Sequence, residues 1–221
     1  MTRCFPHVST ARAAICGALL LAGGACTPPL SPLTGISPVN ATLPAVALVT
    51  GQRKVVFTWE LEANSLVARG NGAARLSAPD SARVDLFLTG GFGGASAVLI
   101  GDSLIVPPGA GTRGIMNMIP PTPVLWAALG RLALPALADT IIRVSGDTLR
   151  ADVGRPRQWR VTAVRDQLIL LDHISGDRII ESVERMPDGG VRYHSSDHRS
   201  LVLHIQQDQP MAAFDASIWH F

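Results

Sequence analysis

The chain has 221 residues, of which 47% are hydrophobic and 16% charged, and this length suits one domain with a real core. Its formal net charge of +2 comes from Arg3 and Arg12, and the rest of the chain carries 17 basic and 17 acidic side chains. This balance excludes a strongly basic, nucleic-acid-binding protein and gives no reason to expect an acidic ligand.

The first 25 residues have the three parts of a secretory signal. Arg3 and Arg12 make a positive start, the run from Ala13 to Ala25 is apolar or small, and no acidic residue precedes Glu60. The apolar run is shorter than the roughly 20 residues that cross a bilayer as a helix. Residues 1–25 are therefore predicted to be a lipoprotein signal peptide that is removed.

Cys26 is predicted to be the lipidated first residue of the processed chain. The other two cysteines, Cys4 and Cys16, lie inside the signal, so Cys26 has no disulfide partner, and a zinc site built on one thiolate would be unusual. Gly24 and Ala25 suit a lipobox, whereas Gly23 stands where a leucine is usual. The alternative is an ordinary secreted protein with an incidental cysteine.

Residues 26–52 are predicted to be a lipidated tether and residues 53–221 a single β domain. The tether is rich in Pro, Ser and Thr, with a short helix predicted near residues 44–49. From Arg53 onward, short segments of alternating apolar and polar residues follow one another at antiparallel-meander spacing and predict eleven or twelve strands. The first four are Arg53–Glu62, Asn64–Ser77, Ala82–Leu88 and Ala95–Gly101. The fold class is mainly β: a strongly curved antiparallel sheet or incomplete β-barrel with a short apolar helical lid.

Small residues mark the second strand, and one apolar helix interrupts the strands. Ala68, Gly70, Gly72 and Ala74 lie on one face of the second strand, where they allow a bulky group to approach the sheet or the sheet to bend. The helix is predicted over Val124–Leu134, with Thr122 as its cap, Pro123 in its first position and Pro135 as its stop. Because it is apolar nearly all round, it either lies across a sheet opening or is an ordinary core helix.

Three short motifs suggest chemistry, and a structural interpretation is preferred for each. "GDSL" around Ser103 is the signature of a serine esterase family, but no D-x-x-H follows and the Gly-Asp pair recurs at 146–147 and 176–177, which is typical of hairpin tips. "YHSSDH", residues 193–198, holds too few ligands for a metal site and is interpreted as a turn. The glycine-rich segment 89–96 is predicted to be a hairpin that carries Phe92, which either folds back onto the core or contacts a membrane or partner.

The segment "FTWELEANSLVARGNGAARLSAPDSARVDLFLTGGFGGASAVLIGDSL", residues 57–104, resembles the opening sheet of the LolA/LolB-like lipoprotein carriers and outer-membrane receptors. "PPTPVLWAALGRL" and a closing strand "RSLVLHI" are also similar. The resemblance implies an incomplete barrel around an apolar cavity that takes acyl chains of lipoproteins. It also implies that Phe92, on the hairpin between the third and fourth strands, contacts the membrane. From alternation we place these residues on the cavity wall: Trp59, Leu86, Leu88, Leu99, Leu125, Trp126 and Leu129.

The predicted function is that of a lipid-anchored protein on the periplasmic face of the bacterial outer membrane. It would bind acyl chains of lipoproteins or other lipids, receive or insert lipoproteins with a possible periplasmic carrier as partner, use no cofactor or metal, and catalyse nothing. The alternative is a structural or assembly lipoprotein that docks a partner protein and has a filled core. A third class, an envelope hydrolase, depends on Ser103.

Overall fold

The computed structural model describes residues 30–64, 66–90, 93–108, 119–137 and 139–221. Within them the chain forms twelve strands, one α-helix, α1 (Thr122–Ala128), and a 3₁₀ helix near the C-terminus (Ala216–Trp219). The strands are β1 (Gln52–Ala63), β2 (Leu66–Ser77), β3 (Ser81–Leu88), β4 (Gly94–Ile100), β5 (Ser103–Ile105), β6 (Thr140–Ser145), β7 (Thr148–Val153), β8 (Trp159–Val164), β9 (Gln167–Ser175), β10 (Arg178–Arg185), β11 (Val191–Ser195) and β12 (Arg199–Met211).

All twelve strands belong to one antiparallel sheet in the order β5-β4-β3-β2-β1-β12-β11-β10-β9-β8-β7-β6. Chain neighbours pair as hairpins, and the pairing of β1 with β12 joins the two halves of the meander. The edges of the described sheet are β5 and β6, and the chain between them carries α1. The predicted fold class is thus confirmed: a curved antiparallel sheet that is not closed, with one short helix.

The strand connections define two ends of the sheet. The end with the β1–β2, β3–β4, β7–β8, β9–β10 and β11–β12 connections is called the upper rim, and the opposite end the lower rim. The predicted Gly-Asp tips are all two-residue turns, and Gly101, Gly146 and Gly176 have φ values of 54–57°. Glycine adopts this left-handed backbone without the steric cost that a β-carbon brings, so Gly-Asp pairs suit these positions.

The small residues of β2 allow two aromatic rings to lie flat on the concave face. Gly72 pairs with Phe57 and Gly70 with Trp59 in the β1–β2 register. A β-carbon at Gly72 would clash with the ring of Phe57, so this glycine is required by the ring above it. A β-carbon at Gly70 would clash first with the carbonyl oxygen of Phe87 and would also meet Cζ2 of Trp59 at 3.0 Å, so the neighbouring strand and the ring both require glycine there.

The N-terminal part of the described chain wraps the β6 edge and then enters the concave face. The amide of Leu30 donates to the carbonyl of Asp177 at 3.4 Å, and Ile36 forms a bridge with Val144 of β6. Leu43 and Val46 then pack against the core, and Leu48 is buried. The helix predicted near residues 44–49 is wrong: the segment has no regular secondary structure. The amide of Val46 donates to the carbonyl of Pro44 at 2.9 Å, its carbonyl accepts from the amide of Leu132 at 2.9 Å, and its side chain packs against the core.

Helix α1 is shorter than predicted and ends at Ala128 instead of Leu134. Pro121, not Thr122, is the N-cap, and Thr122 is the first helical residue. The helix stops because Gly130 adopts φ +88°, and the amides of Gly130 and Arg131 bond back to Ala127 and Trp126. Pro135 therefore does not act as the stop. In the described ranges, no helix has the length and apolar character needed to span a membrane.

Asp85 organises the outer face of β2, β3 and β4. Its carboxylate accepts from Nη1 of Arg75 at 2.5 Å, Oγ of Ser96 at 2.7 Å and Nε of Arg83 at 3.1 Å. Burial by itself would raise the pKa of Asp85, but the hydrogen bond from Ser96 and the two guanidinium groups outweigh it and lower the pKa below the ordinary 3.8. The carboxylate is thus stabilised in its charged form by the fold.

We expect Asp85→Asn to lower the free energy of unfolding at pH 7 by about 2 kcal/mol, because it removes charge-assisted hydrogen bonds from a buried group. The pKa of Asp85 is lower in the folded state than in the unfolded one. Its contribution is therefore full above the ordinary carboxyl pKa and is lost as pH falls through the folded-state value. Urea unfolding between pH 7 and pH 2.5 would test this, with Asp166→Asn, in an exposed turn, as the control. A variant-to-wild-type difference that stays constant down to pH 2.5 would contradict the assignment.

Candidate functional site

The concave face of the sheet carries two apolar clusters, one on each half of the meander. The first cluster lies on β1–β4 and includes Phe57, Trp59, Leu76 and Leu99. The second lies on β6–β11 and is built on these residues: Ile142, Ala151, Val153, Trp159, Val161, Leu168, Leu171, Val183, Val191 and Tyr193. Leu201 and Leu203 of β12 contact both clusters. The concave face is therefore apolar from one half of the sheet to the other.

Helix α1 joins these two clusters. Trp126 belongs to the first and is completely buried, whereas Val124 and Ala127 belong to the second. The indole Nε1 of Trp126 donates to the carbonyl of Gly101 at 2.8 Å, and the guanidinium of Arg131 lies 4.6 Å from its ring centre. A helix that is apolar on opposite sides is stable here because each side has its own half of the sheet to cover it.

Six of the seven predicted wall residues come together in the first cluster. Trp59, Leu99 and Trp126 are buried in it, and the partly buried side chains of Leu86, Leu125 and Leu129 pack against it. Leu88 is 38% exposed and lies at the end of β3 on the upper rim. Whether these side chains also line a space for a ligand remains a prediction.

A small opening lies next to the helix and between the clusters. It has a volume of about 100 Å³ and is lined by Leu61, Ala63, Pro120, Tyr193, Arg199 and Leu201. Sites for small molecules usually enclose roughly 300–1,000 Å³. An acyl chain of ordinary length would therefore need α1 or its flanking segments to move before it could enter between the two clusters.

A polar group that the sequence did not predict lies on the concave face near the upper rim. Nδ1 of His173 is 2.9 Å from Oε2 of Glu181, the hydroxyl of Tyr193 donates to Oε1 of Glu181 at 3.0 Å, and the His173 ring stacks on Trp159 with centroids 4.3 Å apart. Burial raises the pKa of Tyr193 to about 12, and the nearby Glu181 carboxylate raises it too, so the phenol stays protonated. The carboxylate has a partner on each oxygen, as a buried charge requires.

Register shifts explain why this group was missed. The β8–β9 pairing shifts between Thr162 and Ala163, and the β9–β10 pairing between Ile179 and Glu181. If residues alternated strictly from Leu168, Asp172 would lie on the concave face together with Leu168. The bulge shifts the alternation by one residue, so His173 lies on the concave face instead. A one-residue bulge leaves no reliable signal in the sequence, and only the strand pairing reveals it.

Exposed apolar side chains lie on the upper rim at the start of β2 and at the end of β3. Leu66 and Val67 are 51% and 73% exposed. Phe87 is 56% exposed and pairs with Asn71, four positions along β2 from Val67, and Leu88 follows it. The glycine-rich segment between β3 and β4 forms a hairpin connection, as predicted, since Phe87 pairs with Gly94. Phe92 itself lies outside the described residues. The exposed side chains of Phe87 and Leu88 make the end of β3 apolar and accessible.

The motifs that suggested catalysis or metal binding lie in hairpin turns and the strands beside them. Ser103 is exposed and begins the three-residue strand β5 directly after the Gly101–Asp102 turn, whereas an esterase of the family would open a helix there. Residues 193–198 form the end of β11 and a turn into β12. Across the described part of the chain, no group of three or more His, Cys, Asp or Glu side chains is arranged to hold a metal ion.

Comparison with known proteins finds similarity in structure only. No protein-family model and no curated protein matches the chain. Among solved structures, it is similar to a LolA superfamily protein, NE2245 from Nitrosomonas europaea, with 10% identity, a TM-score of 0.47 and coverage of 80% of this chain and 98% of that one. It is also similar to a DUF1329 family protein from Desulfovibrio piger, with 9% identity, a TM-score of 0.44 and coverage of 78% and 91%.

Proposed function

We propose that this is a lipid-anchored protein of the bacterial outer membrane that faces the periplasm, binds acyl chains, and receives or inserts lipoproteins. In this proposal Cys26 carries the anchor, and the protein uses no cofactor and catalyses no reaction. The observation that carries the proposal is the position of the N-terminal segment and the exposed apolar side chains at the same rim of the sheet.

The N-terminal segment reaches the upper rim through the contact of Leu30 with Asp177. Leu30 is four positions after Cys26. A fully extended chain spans about 3.5 Å per residue, so the acylated cysteine would lie within about 14 Å of this contact. The same rim carries Leu66, Val67 and Phe87. Exposed apolar groups of this size are favoured at a membrane or partner interface.

Acyl-chain binding is supported by the composition of the concave face. Its two clusters are built from aliphatic and aromatic side chains, and α1 packs between them with residues in each. Burial of about ten methylene groups at ~0.8 kcal/mol each contributes about 8 kcal/mol, which is the free energy of a micromolar complex. The cost of displacing α1 reduces this affinity, so we expect binding to be weaker than the buried area alone implies.

Binding of a fluorescent fatty acid or lipopeptide to the purified protein tests the proposal. We expect saturable binding, and we expect Leu125→Gln to weaken it about tenfold, because the amide would enter an apolar contact without a hydrogen-bond partner. Ile100→Gln, at an exposed position on the outer face of β4, is the matched control and should leave the affinity unchanged. Equal effects of the two substitutions would contradict binding on the concave face.

A second candidate function is that of an assembly lipoprotein that docks a partner protein. The observation in its favour is the packing of α1 and of Leu43, Val46 and Leu48 onto the concave face, where they occupy the space a ligand would use. Under this alternative the acyl probe does not bind at any concentration below its solubility limit, and the apolar upper rim contacts the partner.

A further inference from the structure

A groove of about 730 Å³ lies on the outer face of the sheet, outside the concave site. It is formed by the upper parts of β6 and β7, the turn after β7, and residues 32–33 of the N-terminal segment. The residues that matter for its chemistry are Leu33, Ile141, Gly154 and the three arginines Arg143, Arg155 and Arg157. Its volume falls within the range of small-molecule sites.

Positive charge in the groove exceeds what its own carboxylates neutralise. The lining contains two carboxylates, Asp139 and Asp152, and three arginines. Asp152 accepts from Nη1 of Arg157 at 3.0 Å and also from Nε of Arg160, outside the groove, at 2.7 Å. Its negative charge is thus shared between two guanidinium groups, and little of it remains to balance the others.

The other two arginines are held more loosely. Arg155 is 84% exposed in its side chain and lies 3.7 Å from Asp139, which is a long ion pair. Arg143 donates to the carbonyl of Ile142 at 3.1 Å and forms no salt bridge with any residue of the described ranges. The residues outside those ranges include no Asp or Glu. Asp177 also pairs with Arg157, at 3.2 Å. Among the described residues Arg143 is thus the groove arginine without a carboxylate partner, and it can donate to an external anion.

The groove also has an apolar side. Pro32 and Leu33 form one wall, and the side chain of Ile141 is 56% exposed on the floor. Guanidinium groups recognise phosphate oxygens through paired, charge-assisted hydrogen bonds, and the neighbouring apolar surface suits a hydrocarbon attached to that phosphate. An amphipathic anion matches this lining better than a simple inorganic ion does.

We propose that this groove binds the phosphate of an anionic phospholipid headgroup, with the glycerol and first methylene groups against Leu33 and Ile141. The inference rests on the proposed function, because the lipid anchor at Cys26 would bring the upper rim to the headgroup layer. Leu33 is seven residues from Cys26, so the extended chain places it within about 25 Å of the anchor. A phospholipid bound in the groove would then determine the orientation of the domain relative to the bilayer.

Native mass spectrometry tests the proposal on protein expressed from the full chain and purified in non-ionic detergent as the host processes it. Dihexanoyl phosphatidylglycerol, dihexanoyl phosphatidylcholine and inorganic phosphate are titrated separately. We expect phosphatidylglycerol to bind about tenfold more tightly than either of the others, and Arg143→Gln with Arg155→Gln to weaken it about tenfold. The control is Arg165→Gln with Arg192→Gln, which removes the same charge at exposed positions away from the groove.

Several results would overturn the proposal. An equal loss in the control would mean that net charge alone attracts the lipid, and inorganic phosphate as tight as the lipid would mean an adventitious ion only. An unchanged affinity in the groove variant, with a thermal midpoint equal to that of the wild type, would exclude the groove. The same spectra report acylation of Cys26, so an acylated protein that ignores phosphatidylglycerol refutes the groove and leaves the anchor intact.

Discussion

Replacing Trp126 by alanine should lower the free energy of unfolding by about 3–5 kcal/mol, the usual cost of deleting a fully buried aromatic side chain. Trp126 has no exposed surface, and it holds α1 against Trp59 and Leu99 of the first cluster. The substitution also removes the bond to the carbonyl of Gly101. Chemical denaturation followed by circular dichroism measures the loss.

Trp126→Phe is the matched control, because it keeps most of the volume and removes the indole donor. We expect it to cost about 1–2 kcal/mol, largely for the unpaired carbonyl of Gly101. It also keeps the experiment informative if the alanine variant fails to fold. A loss below about 1 kcal/mol for alanine would show that α1 is not fixed to the first cluster.

Acyl-chain binding by Trp126→Ala distinguishes the two candidate functions. If acyl chains enter by displacing α1, weaker packing of the helix lowers the cost of displacement, and the affinity for a fluorescent fatty acid rises about tenfold for each 1.4 kcal/mol of that cost removed. If the interior is a filled core that never opens, Trp126→Ala lowers stability and the wild type binds no probe. Binding by the wild type that Trp126→Ala abolishes, with the fold retained, would place the probe on the indole itself.

Replacing Cys26 by alanine should move nearly all of the protein from the membrane fraction to the soluble fraction of the cell envelope. Two or three acyl chains hold a protein on a bilayer, whereas one chain or a few exposed side chains bind only marginally. Fractionation followed by immunoblotting measures the change, and mass spectrometry of the N-terminus reports the acyl groups. A Cys26→Ala protein that stays fully in the membrane fraction would refute the anchor.

Residual membrane binding of the Cys26→Ala protein should depend on the upper rim. We expect Phe87→Ser with Phe92→Ser to remove most of it, because Phe87 is 56% exposed at the end of β3 and Phe92 is predicted to contact the membrane. The control is Ile100→Ser with Ile105→Ser, which removes exposed apolar surface from β4 and β5, away from the upper rim. Equal loss in the two pairs would mean that no particular corner of the domain contacts the membrane.

The sequence predicted most of the strands because their chemistry is local. Alternation in β1 placed Phe57 and Trp59 on one face, and the Gly-Asp pairs marked the turns, since glycine there adopts a backbone conformation that other residues avoid. The glycines of β2 were recognised as a place where something bulky approaches the sheet. That the bulky groups are the rings of Phe57 and Trp59 became clear only from the strand register.

The predictions failed where a distant contact decided the conformation. Residues 44–49 were predicted to be helical, but Val46 instead bonds with Leu132 and packs on the core. The apolar run to Leu134 suggested a longer α1, but beyond Gly130 the amide of Leu132 bonds to the carbonyl of Val46 instead of continuing the helix. In both places local propensity is worth a few tenths of a kcal/mol per residue, and burial of apolar side chains outweighs it.

The sequence by itself determined the class of fold and the apolar character of the segment that became α1. These features depend on composition and short-range periodicity, which the chain carries in every conformation. Only the tertiary structure decided which strands pair across the meander, that His173 and Glu181 face inward, and that Arg143, Arg155 and Leu33 share one groove. The reason is physical: strand register, bulges and the path of the N-terminal segment are set by contacts between residues far apart in the chain.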